Sequence, residues 1–156
     1  PAGPSVVHSI LLAALRSGMQ VSLAHPRGYE LDEGVMSEAK ALGARNEGGG
    51  LEHANTARDA VAGAHVVYAR SWMSLEHYGN KTRAASRMAA ERREWLVDEP
   101  LMQLGHEARL MHPMPIRRNL EVTDSVLDGP RSLVYQQAAN RLPTQKGLLS
   151  LLLRGQ

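Results

Sequence analysis

Apolar positions along this chain follow two rhythms, one of helical period and one of short unbroken runs. Val6, Ile10, Ala13 and Ala14 recur at helical spacing and predict a helix over residues 6–16, with Gly18 as its stop signal. Residues 19–24, Met-Gln-Val-Ser-Leu-Ala, read as a short strand ended by His25-Pro26. Asp32 is placed to cap a second helix over 33–42, which Gly43 would close. Gly48-Gly49-Gly50 marks a turn, 51–54 a short strand, and Thr56 opens a brief helix ending at Val61. His65-Val66-Val67-Tyr68-Ala69-Arg70 is the clearest buried strand.

The second half continues the alternation. Residues 73–82 lack a period, 83–94 read as a helix and 98–104 as a short one. A strand is predicted over 109–112, a brief helix over 123–127 broken by Asp128-Gly129-Pro130, a last strand over 132–136 and a last helix over 138–153. Strands alternating with helices predict an α/β fold: a three-layer parallel sheet with helices on both faces. A strand usually opens such a sheet, whereas here a loop leads straight into a helix. The sheet is therefore expected to lack its first strand, and the chain reads as the inside of a longer polypeptide.

With 156 residues, 43% of them hydrophobic and 22% charged, the chain fits one compact domain spanning 1–156. No apolar run approaches the ~20 residues that cross a bilayer. A net charge of +2 gives little support to nucleic-acid binding. The arginines at 83, 87, 92 and 93, interleaved with Glu91 and Glu94, read as a solvated helix face laced with ion pairs, without aromatic residues to stack on bases. The absence of cysteine excludes disulfides, thiolate nucleophiles and zinc sites of the cysteine type, and fits a reducing cytoplasm. The seven histidines show no metal-binding spacing, so no metal is expected. The glycines match neither GxGxxG nor the phosphate loop, and there is no GxSxG elbow.

The chemistry concentrates at His112-Pro113-Met114-Pro115-Ile116-Arg117-Arg118-Asn119, directly after the apolar run 109–111. Prolines there end the strand and stiffen the turn. In parallel α/β sheets ligands bind just beyond the carboxyl ends of strands. The strand ending at Arg70 would deliver Arg70, Ser71 and Trp72 to the same edge, and Asn140-Arg141 would add a further guanidinium. Clustered cations of this kind are compensated by an anion, which points to a small carboxylate-bearing or anionic ligand. A cation at a helix N-terminus opposes the macrodipole, so Arg141 is expected to face an acid or an oxyanion.

These residues resemble the carboxyl-terminal, amino-acid-binding half of the aspartate/ornithine carbamoyltransferase superfamily, and most of all its N-acetylornithine and N-succinylornithine branch. His112-Pro113-Met114-Pro115 is similar to the family's H-C-L-P signature, followed by the same Arg-Arg-Asn. Val122 to Asp128 resembles its V-T-D-x-V-x-[DE] stretch, and Ala139-Asn140-Arg141-Leu142 with Gln145-Lys146 resembles E-N-R-x-x-x-Q-K. Val66-Val67-Tyr68-Ala69-Arg70-Ser71-Trp72 is similar to V-V-Y-A-K-S-W, and residues 1–9 to the tail of a proline-rich loop. The resemblance implies transfer of a carbamoyl group from carbamoyl phosphate to the side-chain amine of N-acylornithine or ornithine, in arginine biosynthesis, by a cytoplasmic homotrimer without a cofactor. It gives His112 and Arg141 the polarisation of the carbamoyl carbonyl. It gives Arg70, Trp72, Pro113, Met114 and Arg117 the binding of the amino-acid substrate.

Two departures stand out: Pro113 replaces the signature cysteine and Arg70 the lysine. The S-x-R-T-R loop that holds the phosphate in this family is missing, together with the amino-terminal domain that carries it, so this segment alone is expected to be inactive. The competing expectation is a non-catalytic amino-acid-binding or assembly module built on the same fold.

Overall fold

The structure, a computed structural model, describes residues 5–45, 49–70 and 80–154. Its elements run in the order α1 (Ser5–Arg16), β1 (Gln20–Leu23), α2 (Glu33–Arg45), β2 (Gly50–His53), α3 (Ala57–Val61), β3 (Val66–Tyr68), α4 (Lys81–Trp95), α5 (Glu99–Met102), β4 (Arg109–Met111), α6 (Asp124–Leu127), α7 (Val134–Ala139) and α8 (Arg141–Arg154). Side-chain caps start several helices where the sequence places them. Asp32 Oδ1 accepts from Val35 N–H at 3.1 Å, Asp98 Oδ1 from Leu101 N–H at 2.9 Å, and the Thr56 and Thr123 hydroxyls accept at the starts of α3 and α6.

All strand pairing is parallel, as the alternation predicts, but the described residues form two two-stranded sheets and not one continuous three-layer sheet. β1 pairs with β2 in the register Leu23↔His53, and β3 with β4 in the register Tyr68↔Met111. Each sheet has its own core. Leu11, Leu15 and Ala39 pack under the first, with Val21 and Leu51 against them. Val67, Leu110, Met102, Val122, Leu127 and Val134 fill the second.

Four expectations are corrected. Residues 132–136 are not a strand: Ser132 bridges Leu110 once, Leu133 N–H donates to Leu110 O at 2.8 Å, and the chain turns at once into α7. Val134 is buried all the same, so a short apolar run served a helix as well as a strand. Gly43 does not close α2, which continues to Arg45. Gly43 instead lets the helix approach β2, since a Cβ there would sit 3.2 Å from Leu51 N. The predicted last helix breaks into α7 and α8 at Asn140, because Pro143 has no N–H to continue a ladder from α7 yet fits a new first turn. Finally, β3 is shorter and less buried than its sequence suggests: Val66 is half-exposed and only Val67 is buried.

The expected solvated face of α4 is partly docked. Arg87 Nε donates to Glu91, Arg87 Nη2 donates to Arg27 O at 2.5 Å, and the guanidinium lies 5.8 Å from the Tyr29 ring centre. Burial first, then the charge of Glu91 and a hydrogen bond to it, push the Tyr29 phenol up to about 12. Because the folded-state value is raised, the associated stability is present below pH ~10 and is lost as pH climbs through the folded value. An ultraviolet phenolate titration should show one tyrosine ionising late, and Tyr29→Phe should remove that step. A late step that survives the substitution would refute the assignment.

Gly105, in the turn between α5 and β4, has no room for a side chain: a Cβ would meet Ala108 Cβ at 2.6 Å and Ala64 O at 2.8 Å. Gly105→Ala is therefore expected to cost about 1–3 kcal/mol in chemical denaturation, the usual range for overpacking. An unchanged midpoint would show that the turn yields freely.

Candidate active site at the carboxyl edge of the second sheet

The register of β3 and β4 fixes the site. Tyr68 lies beside Met111, and Ala69 N–H donates to Met111 O at 3.0 Å, so Arg70 and His112 leave the sheet on adjacent strands at one edge. Gln137, on α7, ties that edge together: its Oε1 accepts from His112 N–H at 3.0 Å and its Nε2 donates to the Tyr68 hydroxyl at 3.3 Å. One helical turn further, Arg141 shares with Gln137, Asn140, Thr144 and Gln145 an open groove of about 270 Å³. Gln137 and Tyr68 were not singled out from the sequence. The spacing of Gln137 and Arg141, four residues apart, was the available signal, but Gln137 fell between the strand predicted over 132–136 and the helix predicted over 138–153, so the two were not read on one helix face.

His112 is 1% exposed and turned inward. Its Nδ1 accepts the Met114 N–H at 3.0 Å, which leaves the ring proton of the neutral form on Nε2. Nε2 lies 3.4 Å from Glu121 Oε2, within ion-pair reach but off the alignment of a hydrogen bond. Glu121 is equally buried, and a carboxylate there must be compensated. Its Oε2 accepts the Arg117 N–H at 2.9 Å and its Oε1 lies 3.7 Å from Arg117 Nη1. Arg117 Nη1 also reaches Met88 Sδ on α4 at 3.4 Å, with nearly half of the side chain still exposed. His112, Glu121 and Arg117 thus brace the loop that presents Pro113 and Met114. Met114 is exposed, with φ +49°, and its carbonyl and that of Pro113 accept no hydrogen bond among the described residues.

Beyond this loop, Arg118 is held by Asp124 at 2.7 Å and by both oxygens of Asp128 at 2.6 and 2.9 Å. Arg118 keeps both carboxyls below the usual range, as its own largest neighbours in hydrogen bonding. Depressed values mean that this network is intact above pH ~4 and lost as pH falls below it. Arg118→Ala should lower stability modestly at neutral pH, leave it unchanged in strong acid where both carboxyls are protonated, and so flatten the acid limb of a stability–pH curve. A limb of the same steepness would contradict that.

Arg70 is half-buried and Arg141 exposed, and neither has an ion-pair partner among the described residues. Trp72 and Ser71 lie outside the described residues. The strand edge therefore gathers Arg70, the 112–117 loop and, across Gln137, Arg141. Among the described residues no group of three or more potential metal ligands occurs, and no helix is long and apolar enough to cross a membrane.

The domain is thus a parallel-stranded α/β domain with cations and open carbonyls at the strand ends of its second sheet. Residues 2–152 match the family described as aspartate/ornithine carbamoyltransferase, Asp/Orn binding domain, and the chain belongs to that family. It is 41% identical over 152 residues to an ornithine carbamoyltransferase of Parafrankia sp., covering 97% of this chain and 46% of the relative. It is 37% identical over 153 residues to an N-acetylornithine carbamoyltransferase of Xanthomonas campestris pv. campestris, covering 97% and 44%. A solved acetylornithine transcarbamylase complexed with acetylcitrulline superposes with TM-score 0.81 at 36% identity over 94% of this chain and 43% of that one. A second such structure, at 35% identity with the same TM-score, covering 94% of this chain and 44% of that one, holds carbamyl phosphate and N-succinyl-L-norvaline. The chain spans about half the length of the relatives it matches.

Proposed function

We propose that this domain is the amino-acid-binding half of a carbamoyltransferase that moves a carbamoyl group from carbamoyl phosphate to the side-chain amine of N-acylornithine or ornithine. The observation that carries the reading is the meeting of Arg70, the 112–117 loop and the Arg141 groove at one sheet edge. In the reaction the neutral amine attacks the carbonyl carbon, the bond to phosphate breaks, and the amine's surplus proton leaves with the phosphate. Such chemistry needs positioning and stabilisation of developing oxyanion charge. Arg141, a cation with no carboxylate to hold it among the described residues, serves the carbonyl oxygen. The open carbonyls of Pro113 and Met114 accept from the amine.

Arg70 and Arg117 take carboxylate or acyl oxygens, a task suited to the guanidinium fork. Trp72 completes the binding surface in this reading. For His112 the geometry supports a positioning role, since both ring nitrogens face protein groups; it sets the loop while Arg141 makes the contact.

The domain works joined to a second one that holds carbamoyl phosphate, in a trimer. Supporting this, α8 has no buried residue, and Leu142, Leu148, Leu149, Leu151, Leu152 and Leu153 are each more than half exposed. A face this apolar marks an interface. Among the described residues the outer edges of β1 and β3 pair with no further strand, and they likewise suit an additional one.

Colorimetric ureido assay of the full-length gene product with carbamoyl phosphate and, in turn, acetylornithine, succinylornithine, ornithine and aspartate tests the proposal. Product is expected from one of the first three. No product from any of the four would end the catalytic reading. Binding of an amino acid without carbamoyl phosphate would then favour a sensor built on this fold.

A further inference from the structure

The first sheet also brings chemistry to its carboxyl edge. His53 ends β2, and His25 follows the end of β1, which pairs with it. Their Nε2 atoms lie 3.1 Å apart, with ring centres 5.0 Å apart and planes at 73°. His25 Nδ1 faces the carbonyl of its neighbour Pro26 at 3.0 Å. A carbonyl can only accept, so Nδ1 carries the proton and the Nε2 of neutral His25 is a bare lone pair. This is the arrangement that readies a histidine as a metal ligand, the far nitrogen held by a backbone oxygen. His53 donates its Nε2–H to that lone pair, and its ring is exposed enough to turn.

We propose that His25 and His53 form a two-imidazole site for a late first-row divalent ion, Zn²⁺ or Cu²⁺, with water completing the coordination. Metal–nitrogen bonds of about 2.0–2.1 Å at tetrahedral angles put two bound nitrogens roughly 3.3 Å apart, close to the spacing already present. Imidazole nitrogen suits these ions, and neither oxygen-seeking Mg²⁺ nor Ca²⁺ would be taken. The proton balance is simple. The ion replaces the shared proton between the two Nε2 atoms, that proton moves to Nδ1 of His53, and the neutral pair releases none.

The site has a structural consequence. His25 belongs to the segment 24–32 that links β1 to α2, and α4 grips that same segment through Arg27 O and Tyr29. An ion on both imidazoles would fasten this segment to β2, and hence α4 to the first sheet. Neither histidine belongs to the edge assigned above to the amino-acid substrate, so the two proposals stand or fall separately.

Isothermal titration of the full chain with ZnCl₂ in a non-chelating buffer should show one saturable site per chain. His53→Gln and His25→Ala should each weaken it by about 10²-fold, the loss expected when two linked ligands become one. His65→Ala and His106→Ala, which disrupt a second edge-to-face histidine pair among the described residues, should leave it unchanged. Zinc should raise the melting temperature of the parent protein and not that of His53→Gln. His53 is exposed, so this variant's metal-free melt should match the parent and exclude misfolding. No saturable site, or a site that survives both substitutions or disappears with His65→Ala, would overturn the proposal.

Discussion

Under the proposed carbamoyl-transfer role, Arg141→Ala in the full-length gene product is expected to lower kcat by about 10²–10³-fold, the usual loss when one group that stabilises an oxyanion is removed. Its melting temperature should stay within the scatter of surface variants. The contrast follows from position. Arg141 opens α8, is exposed, and has no ion-pair partner among the described residues. A cation there is disfavoured by the helix dipole until negative charge arrives, so stability loses little with it and the reaction loses much. Arg141→Lys keeps the charge and gives up the planar fork, and should recover only part of the rate. Steady-state kinetics with both substrates varied, beside a thermal melt, decides the matter. A kcat within threefold of the parent would remove Arg141 from the reaction.

Glu121→Ala is expected to act the other way, on folding first. It deprives the Arg117 N–H and the buried His112 Nε2 of their carboxylate in one step. Breaking a buried pair from one side costs about 3–5 kcal/mol, because the group left behind stays desolvated. In a domain of this size that is roughly 6–20 °C in melting temperature. Glu121→Gln keeps an acceptor for both donors and should lose distinctly less. Where the full-length variant remains folded, the loosened 112–117 loop should raise KM for the amino acid more than for carbamoyl phosphate. A melt within 2 °C of the parent would show that the pair braces nothing.

Much of the fold was legible because local rules and tertiary packing agree there. Asp32 caps α2 as its position predicts, Thr56, Asp98 and Thr123, read as first residues of their helices, stand one residue earlier as caps, and all strands pair in parallel. The errors fall where a local pattern allows two answers. Leu133 and Val134 satisfy a strand or a helix equally, and a single bridge to Leu110 followed by a turn chose the helix. Gly43 looks like a stop until β2 packs against it. The arginines of α4 look solvated until Tyr29 and Arg27 O meet Arg87.

Residue types and their order along the chain determined the α/β class, the helix starts, the family and the stretch around His112, since each rests on neighbours in sequence. Tertiary structure alone decided which way His112 faces, that Glu121 stands beneath it, that Gln137 joins Tyr68 to the 112–117 loop, and that His25 meets His53. Those contacts join residues that stand up to 69 apart in the chain, and only strand register and helix docking, neither encoded in any local spacing, bring them within bonding distance.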